Sequence, residues 1–157
     1  MSARLDRSES YKSLINRLEP LLAGESDLIA NLANVTAEIK DLFGFWWVGF
    51  YLVKGEELVL GPFQGPVACT RIPRGKGVCG AAWERKEVVV VPDVHHFPGH
   101  IACSAASNSE IVVPILVKGT VVAVLDIDSV EFDDFGQEDV RYFTHISRML
   151  RPKFPLP

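Results

Sequence analysis

The sequence predicts an α+β domain: a central antiparallel sheet, helices packed on one face, and a long pocket-covering loop on the other. Three observations lead there. Apolar residues recur at helical spacing at both ends of the chain. Between them lie short β-branched and aromatic runs joined by Lys-Gly turns, the mark of antiparallel hairpins. One long polar stretch, residues 92–109, interrupts that β-rich middle, and loops of this length in a compact domain tend to serve function. The element order reads α-α-β-β-β-α-β-loop-β-β-α.

Each element has a local reason. Tyr11, Leu14, Ile15, Leu18, Leu21 and Leu22 predict a helix over 9–23, with Pro20 kinking or ending its last turn and Gly24 as the stop. Ser26 suits the N-cap of a second helix that buries Leu28, Leu32, Val35, Ile39 and Leu42. Gly44 stands where a left-handed C-cap belongs. A strand follows over 46–53, then a turn at 54–57 and a partner strand from Leu58 to Leu60, with Gly61-Pro62 as punctuation. A short strand over 67–72 holds Cys69, a loop spans 73–77, and a helix over 78–84 holds Cys79. A buried strand spans 87–91. A hairpin spans 111–117 and 121–127 across Lys118-Gly119. A last helix over 136–150 turns Val140, Phe143, Ile146 and Leu150 inward, with Asp133 and Asp134 at its N-terminal end.

Composition narrows the function classes. The chain has 157 residues and reads as a single domain, 1–157, with loose tails at 1–8 and 152–157. A domain of this size buries about 70% of its unfolded surface and needs neither disulfide nor metal to fold. A net charge of -4 offers nucleic acid or an anionic membrane no attraction. The polar start MSARLDRSES is not a secretory signal, and no apolar run reaches membrane length, so a cytoplasmic location is expected. Three cysteines at irregular spacing argue against a structural disulfide framework. Catalytic, metal-binding and plain buried roles stay open for them.

The chemistry-bearing residues cluster in two places. Residues 98–110 are small, polar and turn-rich, and carry Cys103 and Glu110. Asp126 and Asp128 are two apart at the end of an apolar strand, so both project to one face. If Val122, Val124 and Asp126 share the inward face, acids there are costly unless they serve function; the plain alternative is that they close the strand as turn residues. Cys79, between Val78 and Gly80, reads equally as a small buried hydrophobe. Trp46 and Trp47 are adjacent, so on a strand one faces each side. His95, His96, His100 and Cys103 invite a zinc reading, but no paired CxxC or HxxxH accompanies them, and no metal is expected. Gly75-Lys76-Gly77 lacks the spacing of a phosphate loop.

The runs WWVGFYLV, GPFQGPVACTRIPRGKGVCGAAW, VVVPDVHHFPGHIACSAASNSEIVVPI, GTVVAVLDIDS and FDDFGQEDVRYF occur in that order. Together they resemble the free methionine-R-sulfoxide reductase family of the GAF-domain superfamily. The resemblance implies a GAF-like fold and reduction of the R epimer of free methionine sulfoxide. It places the nucleophile on Cys103, the resolving cysteine on Cys69 and an auxiliary cysteine on Cys79. It places the acids on Glu110, Asp126 and Asp128 and the aromatic pocket on Trp47 and Tyr51. No bound cofactor is implied; the external reductant is the thioredoxin/NADPH system. By analogy with GAF domains, two copies pair through terminal helices as a homodimer.

The chemistry asks for these residue types. A thiolate attacks sulfoxide sulfur only as the oxygen is protonated, and crowded buried acids hold a proton to give. The same acids oppose thiolate formation on Cys103, a tension that His100 or a backbone donor would have to offset. The rival readings are a GAF module that binds a small ligand without consuming it, and a redox sensor in which a Cys69–Cys103 disulfide is the signal.

Overall fold

The computed structural model describes residues 6–100 and 106–157. Two helices, α1 (Ser8–Ala23) and α2 (Leu28–Phe43), precede the strands β1 (Trp47–Lys54), β2 (Glu57–Gln64) and β3 (Arg71–Pro73). Helix α3 (Gly77–Arg85) and strand β4 (Val89–Val91) follow. The chain closes with β5 (Ser109–Val117), β6 (Thr120–Ser129) and α4 (Gln137–Leu150). The six strands form one antiparallel sheet in the order β3-β2-β1-β6-β5-β4. Of its two central strands, β1 comes first of the six in the chain and β6 last.

Alternation along the strands builds two apolar layers. Val48 and Phe50 of β1, Ile111, Val113 and Ile115 of β5, and Leu125 and Ile127 of β6 pack against α1, α2 and α4. Each such buried side chain contributes about 1.5–3 kcal/mol. Trp47, Tyr51, Val112 and Val124 face the opposite way and meet Val78, Ala82 and Trp83 of α3. Three helices therefore cover one face as expected, and α3 lies on the other.

The local signals hold with instructive shifts. Helix α1 runs through Pro20 to Ala23 without stopping. Asp27, not Ser26, caps α2, its carboxylate accepting from the Ala30 N–H at 2.9 Å. Gly44 takes the left-handed cap at φ 66°. Gly61-Pro62 does not end β2: Gly49 pairs Phe63 and Tyr51 pairs Leu60, so both residues sit opposite Phe50 as a bulge. Strand β3 pairs only the first half of β2, so Pro62 lies at an edge where its missing N–H costs little. Strand β3 starts at Arg71, leaving Cys69 in the loop before it. A second bulge falls at Val122, because Ile115 pairs Ala123 while Leu116 pairs Val121. Val122 consequently joins the helix-side layer, and Val124 and Asp126 share the other face without it.

Asp134 does not cap α4. Asp139 does so from inside the helix, accepting from the Gly136 N–H at 2.8 Å. The same carboxylate accepts from the Tyr11 hydroxyl and from Arg7 Nη1 at 3.0 Å. Asp134 binds Arg7 Nη2 at 2.6 Å and the Ser129 hydroxyl at 2.5 Å. This polar knot ties α1, the end of β6 and the start of α4 together. It also holds the chain at Arg7, inside the stretch expected to be loose. At the other end, Phe154 is buried and Lys153 Nζ donates to the Leu22 and Glu25 carbonyls.

Asp139→Ala leaves the buried Tyr11 hydroxyl and the half-buried Arg7 guanidinium short of a partner. We expect a loss of about 2–4 kcal/mol in urea unfolding, and Asp139→Asn, which keeps an acceptor, should recover part of it. A loss below about 0.5 kcal/mol for the alanine variant would show that the knot is not a stabilising tie.

Candidate active site

Three acids meet because of how β6 is registered. Asp128 lies opposite Glu110 of β5 on one side and opposite Trp47 of β1 on the other. Asp126, one pleat along, lies between Val112 and Gly49. All three carboxyls line one pocket on the α3 side of the sheet, with Trp47, Tyr51, Cys79, His100 and Ser107. The pocket encloses about 550 Å³, its open mouth included. Glu110 is 6% exposed and Asp126 5%. Asp126 Oδ1 has no hydrogen-bond partner among the described residues.

Burial is the first influence on the protonation of this cluster. Burial first, and then the charges of Asp126 and Asp128, push the Glu110 carboxyl well above the usual range. Asp128 is pushed well up by burial and by the charge of Asp126. Glu110 first, and then Ser107, temper that rise, although the Ser107 hydroxyl oxygen makes no hydrogen bond of normal geometry among the described residues. Asp126 is raised by burial but held back by Glu110 and the Cys79 thiol, both of which stabilise its anion. All three carboxyls are therefore biased toward the protonated form.

The aromatic wall is anchored rather than merely packed. Trp47 Nε1–H donates to the Pro66 carbonyl at 3.0 Å, and its ring stacks on Phe63 and Tyr51. The Tyr51 hydroxyl donates to the Cys69 carbonyl at 2.9 Å. Two pocket residues thus hold the 66–69 loop. Trp46 precedes the strand and packs on the same side as Trp47, so the adjacent tryptophans do not divide between faces. The Trp47 ring lies against Gly49, where a Cβ would come within 2.3 Å of it. Gly65, at φ 138°, backs the same indole from the other edge. Sequence reasoning missed these glycines and Ser107. A glycine two residues after a tryptophan on one strand is a signal of close ring approach; Ser107 carries none.

The cysteines stand in different states. Cys69 is half-buried and disulfide-bonded. Cys79, in the first turn of α3, is free and 5% exposed. Burial, then the charges of Asp126, Glu110 and Asp128, push its thiol well up, so it is held as S–H. Cys103 lies outside the described residues. His100 lines the pocket, with burial and then His95 lowering its pKa. It is neutral near pH 7 and supplies no positive charge to offset the acids. His95 turns away to Asn108 at 3.0 Å, and His96 to Asp93 at 3.4 Å. Lys76 reaches the rim from just before α3.

Comparison with known proteins gives the setting of this pocket. The GAF domain family matches residues 27–151. "GAF domain-containing protein A" of Dictyostelium discoideum is 54% identical over 145 residues, 92% of each chain. The free methionine-R-sulfoxide reductase of Escherichia coli is 51% identical over 136 residues, 86% of this chain and 82% of that one. Among solved structures, the free methionine-R-sulfoxide reductase of Neisseria meningitidis in complex with its substrate superposes with a TM-score of 0.93 at 47% identity. That match covers 97% of this chain and 92% of the other.

Two outcomes follow from the geometry. Gly49→Ala must displace the Trp47 ring, at a cost of about 1–3 kcal/mol, with a shift in tryptophan emission; unchanged emission and stability would refute the close approach. Raised carboxyl pKa values mean that the folded state binds more protons than the unfolded one. Stability is therefore lost as pH rises above the ordinary carboxylate range, near about pH 4. Glu110→Gln removes the ionisable group from that balance, so its melting temperature relative to the parent should climb between pH 4 and pH 8. A difference that is flat across this range would contradict the assignment.

Proposed function

The chain belongs to the free methionine-R-sulfoxide reductase family of the GAF-domain superfamily, and from that premise we propose that it reduces the R epimer of free methionine sulfoxide to methionine. The observation that carries the reading is the buried trio of acids, biased toward protonation, facing an anchored aromatic wall. Protonated Glu110 or Asp128 donates to the sulfoxide oxygen as it leaves. The trio also supplies the counter-charge that pairs with the substrate ammonium. A sulfoxide within a peptide has no ammonium there and would leave that buried charge unpaired, at a cost of several kcal/mol. Trp47 and Tyr51 form the apolar wall for the methyl group and side chain.

In this reading the Cys103 sulfur attacks the sulfoxide sulfur. A bond forms between the two sulfurs as the S–O bond breaks and the protonated oxygen leaves as water; a water molecule then attacks the Cys103 sulfur, the bond between the sulfurs breaks, methionine leaves, and Cys103 is left as a sulfenic acid. The Cys69 thiol then condenses with it, releasing water and forming a disulfide. Supporting that pairing, Cys69 is disulfide-bonded while Cys79 is free, in a chain with three cysteines. A thioredoxin-type dithiol reopens the bond by exchange and takes up the oxidising equivalents. Cys79, in the same pocket, is the reserve thiol. The neutral His100 leaves activation of Cys103 to backbone donors or to the substrate itself.

Single-turnover release tests the proposal. Fully reduced protein mixed with R-methionine sulfoxide should yield about one methionine per chain with loss of two thiols, and none from the S epimer or a blocked peptide. Cys103→Ser should release nothing. Cys69→Ser should still release one methionine per chain, then stall or slow when thioredoxin is the reductant. Full multiple turnover by Cys103→Ser, or equal release from both epimers, would overturn the proposal.

A further inference from the structure

We propose that the pocket also binds a thiophilic divalent cation of the Zn²⁺ class, through Cys79 Sγ, Glu110 and Asp126. One ligand atom from each of these three residues lies within 4.8 Å of the others. In a tetrahedral zinc site, with bonds of about 2.0–2.3 Å, neighbouring ligand atoms stand about 3.3–3.6 Å apart. That spacing is closer than 4.8 Å, so a bound metal would draw the three side chains together. All three residues are buried, and they come from three elements: the first turn of α3, the start of β5 and the end of β6.

A second observation points to a ligand. Asp126 is 5% exposed, lines the pocket, and leaves Oδ1 without a hydrogen-bond partner among the described residues. A buried carboxylate oxygen without a donor is costly, and a cation removes the cost. The described lining offers little competing positive charge. Lys76 is exposed at the rim, and His100 is neutral near pH 7. Asp128 or water can take the fourth position.

The sulfur decides which cation. Magnesium and calcium prefer sets of oxygen ligands, whereas a thiolate selects zinc and its softer neighbours. On binding, the Cys79 S–H bond and any O–H bond of the Glu110 and Asp126 carboxyls break, bonds from Sγ and the carboxylate oxygens to the metal form, and the protons pass to solvent; no oxidation is involved. The free state of Cys79 means that the site persists while Cys69 is disulfide-bonded. It does not depend on turnover, so this inference stands or falls separately from the proposed reaction.

The test is metal binding to the oxidised full chain after chelator treatment, with no substrate present. Zinc titration against a chromophoric chelator should give one tight site per chain. Cobalt in its place should give a thiolate charge-transfer band in the near ultraviolet. Loss of outer-shell partners alone weakens metal sites by about 10–100-fold. Cys79→Ala and Cys79→Ser should therefore each weaken binding by about tenfold or more and abolish the band. Asp126→Asn should weaken binding comparably while the band remains. No binding would overturn the proposal. So would equal binding of magnesium, which would mark a thiol-independent acid cluster. Zinc affinity unchanged in the Cys79 variants would place the metal elsewhere, for instance on the exposed His95-His96 pair, and would also overturn it.

Discussion

The register of β6 between β1 and β5 is the constraint on which the pocket rests. Asp128 is held opposite Glu110 and Trp47, and Asp126 opposite Val112 and Gly49. Like charges directly across a sheet repel, so this pairing is unfavourable on its own. The other face explains why it holds. Leu125 and Ile127 alternate with the acids and are buried under the helices. A slip of one residue would expose those apolar groups and drive two carboxylates into the helix-side core. The core therefore enforces an arrangement that the acids would not choose.

The cost is tempered in three ways. Protonation relieves the cluster of charge, because burial and mutual repulsion bias Glu110 and Asp128 toward the neutral form. Asp126 gains stabilisation from Glu110 and the Cys79 thiol. The wall around the acids is stiff: Trp47 is pinned by Pro66, Phe63 and Gly49, and Tyr51 by the Cys69 carbonyl. A rigid apolar wall beside groups that lack partners is the pattern of a site prepared for a polar ligand rather than for its own stability. The knot of Arg7, Tyr11, Asp134 and Asp139 secures the sheet end from which β6 leaves the pocket, so the helix layer and the acid layer share an anchor.

Much of the fold was legible because its signals are local. The amphipathic repeats of α1, α2 and α4, the left-handed Gly44 cap and the two hairpins each depend on residues close in sequence. The misplacements have equally local causes. Ser26 and Asp27 are both good caps, and only the carboxylate reaches the Ala30 N–H. Gly61-Pro62 reads as a stop and is a bulge, because β3 is too short to demand hydrogen bonds from that part of β2. Asp133 and Asp134 look like caps, but Arg7, 127 residues from Asp134, takes the latter.

The sequence by itself determined the element order, the alternation that sets Asp126 and Asp128 on one face, and the motif set that marks the family, because these need only spacing and side-chain type. Tertiary structure alone decided that Glu110 and Asp128 stand opposite one another, that α3 carries Cys79 to the same pocket, and that Trp47 lies against Gly49. It also decided the protonation of the acids and the neutrality of His100. A pKa follows from burial and from charges that arrive from distant parts of the chain, and no spacing rule contains either.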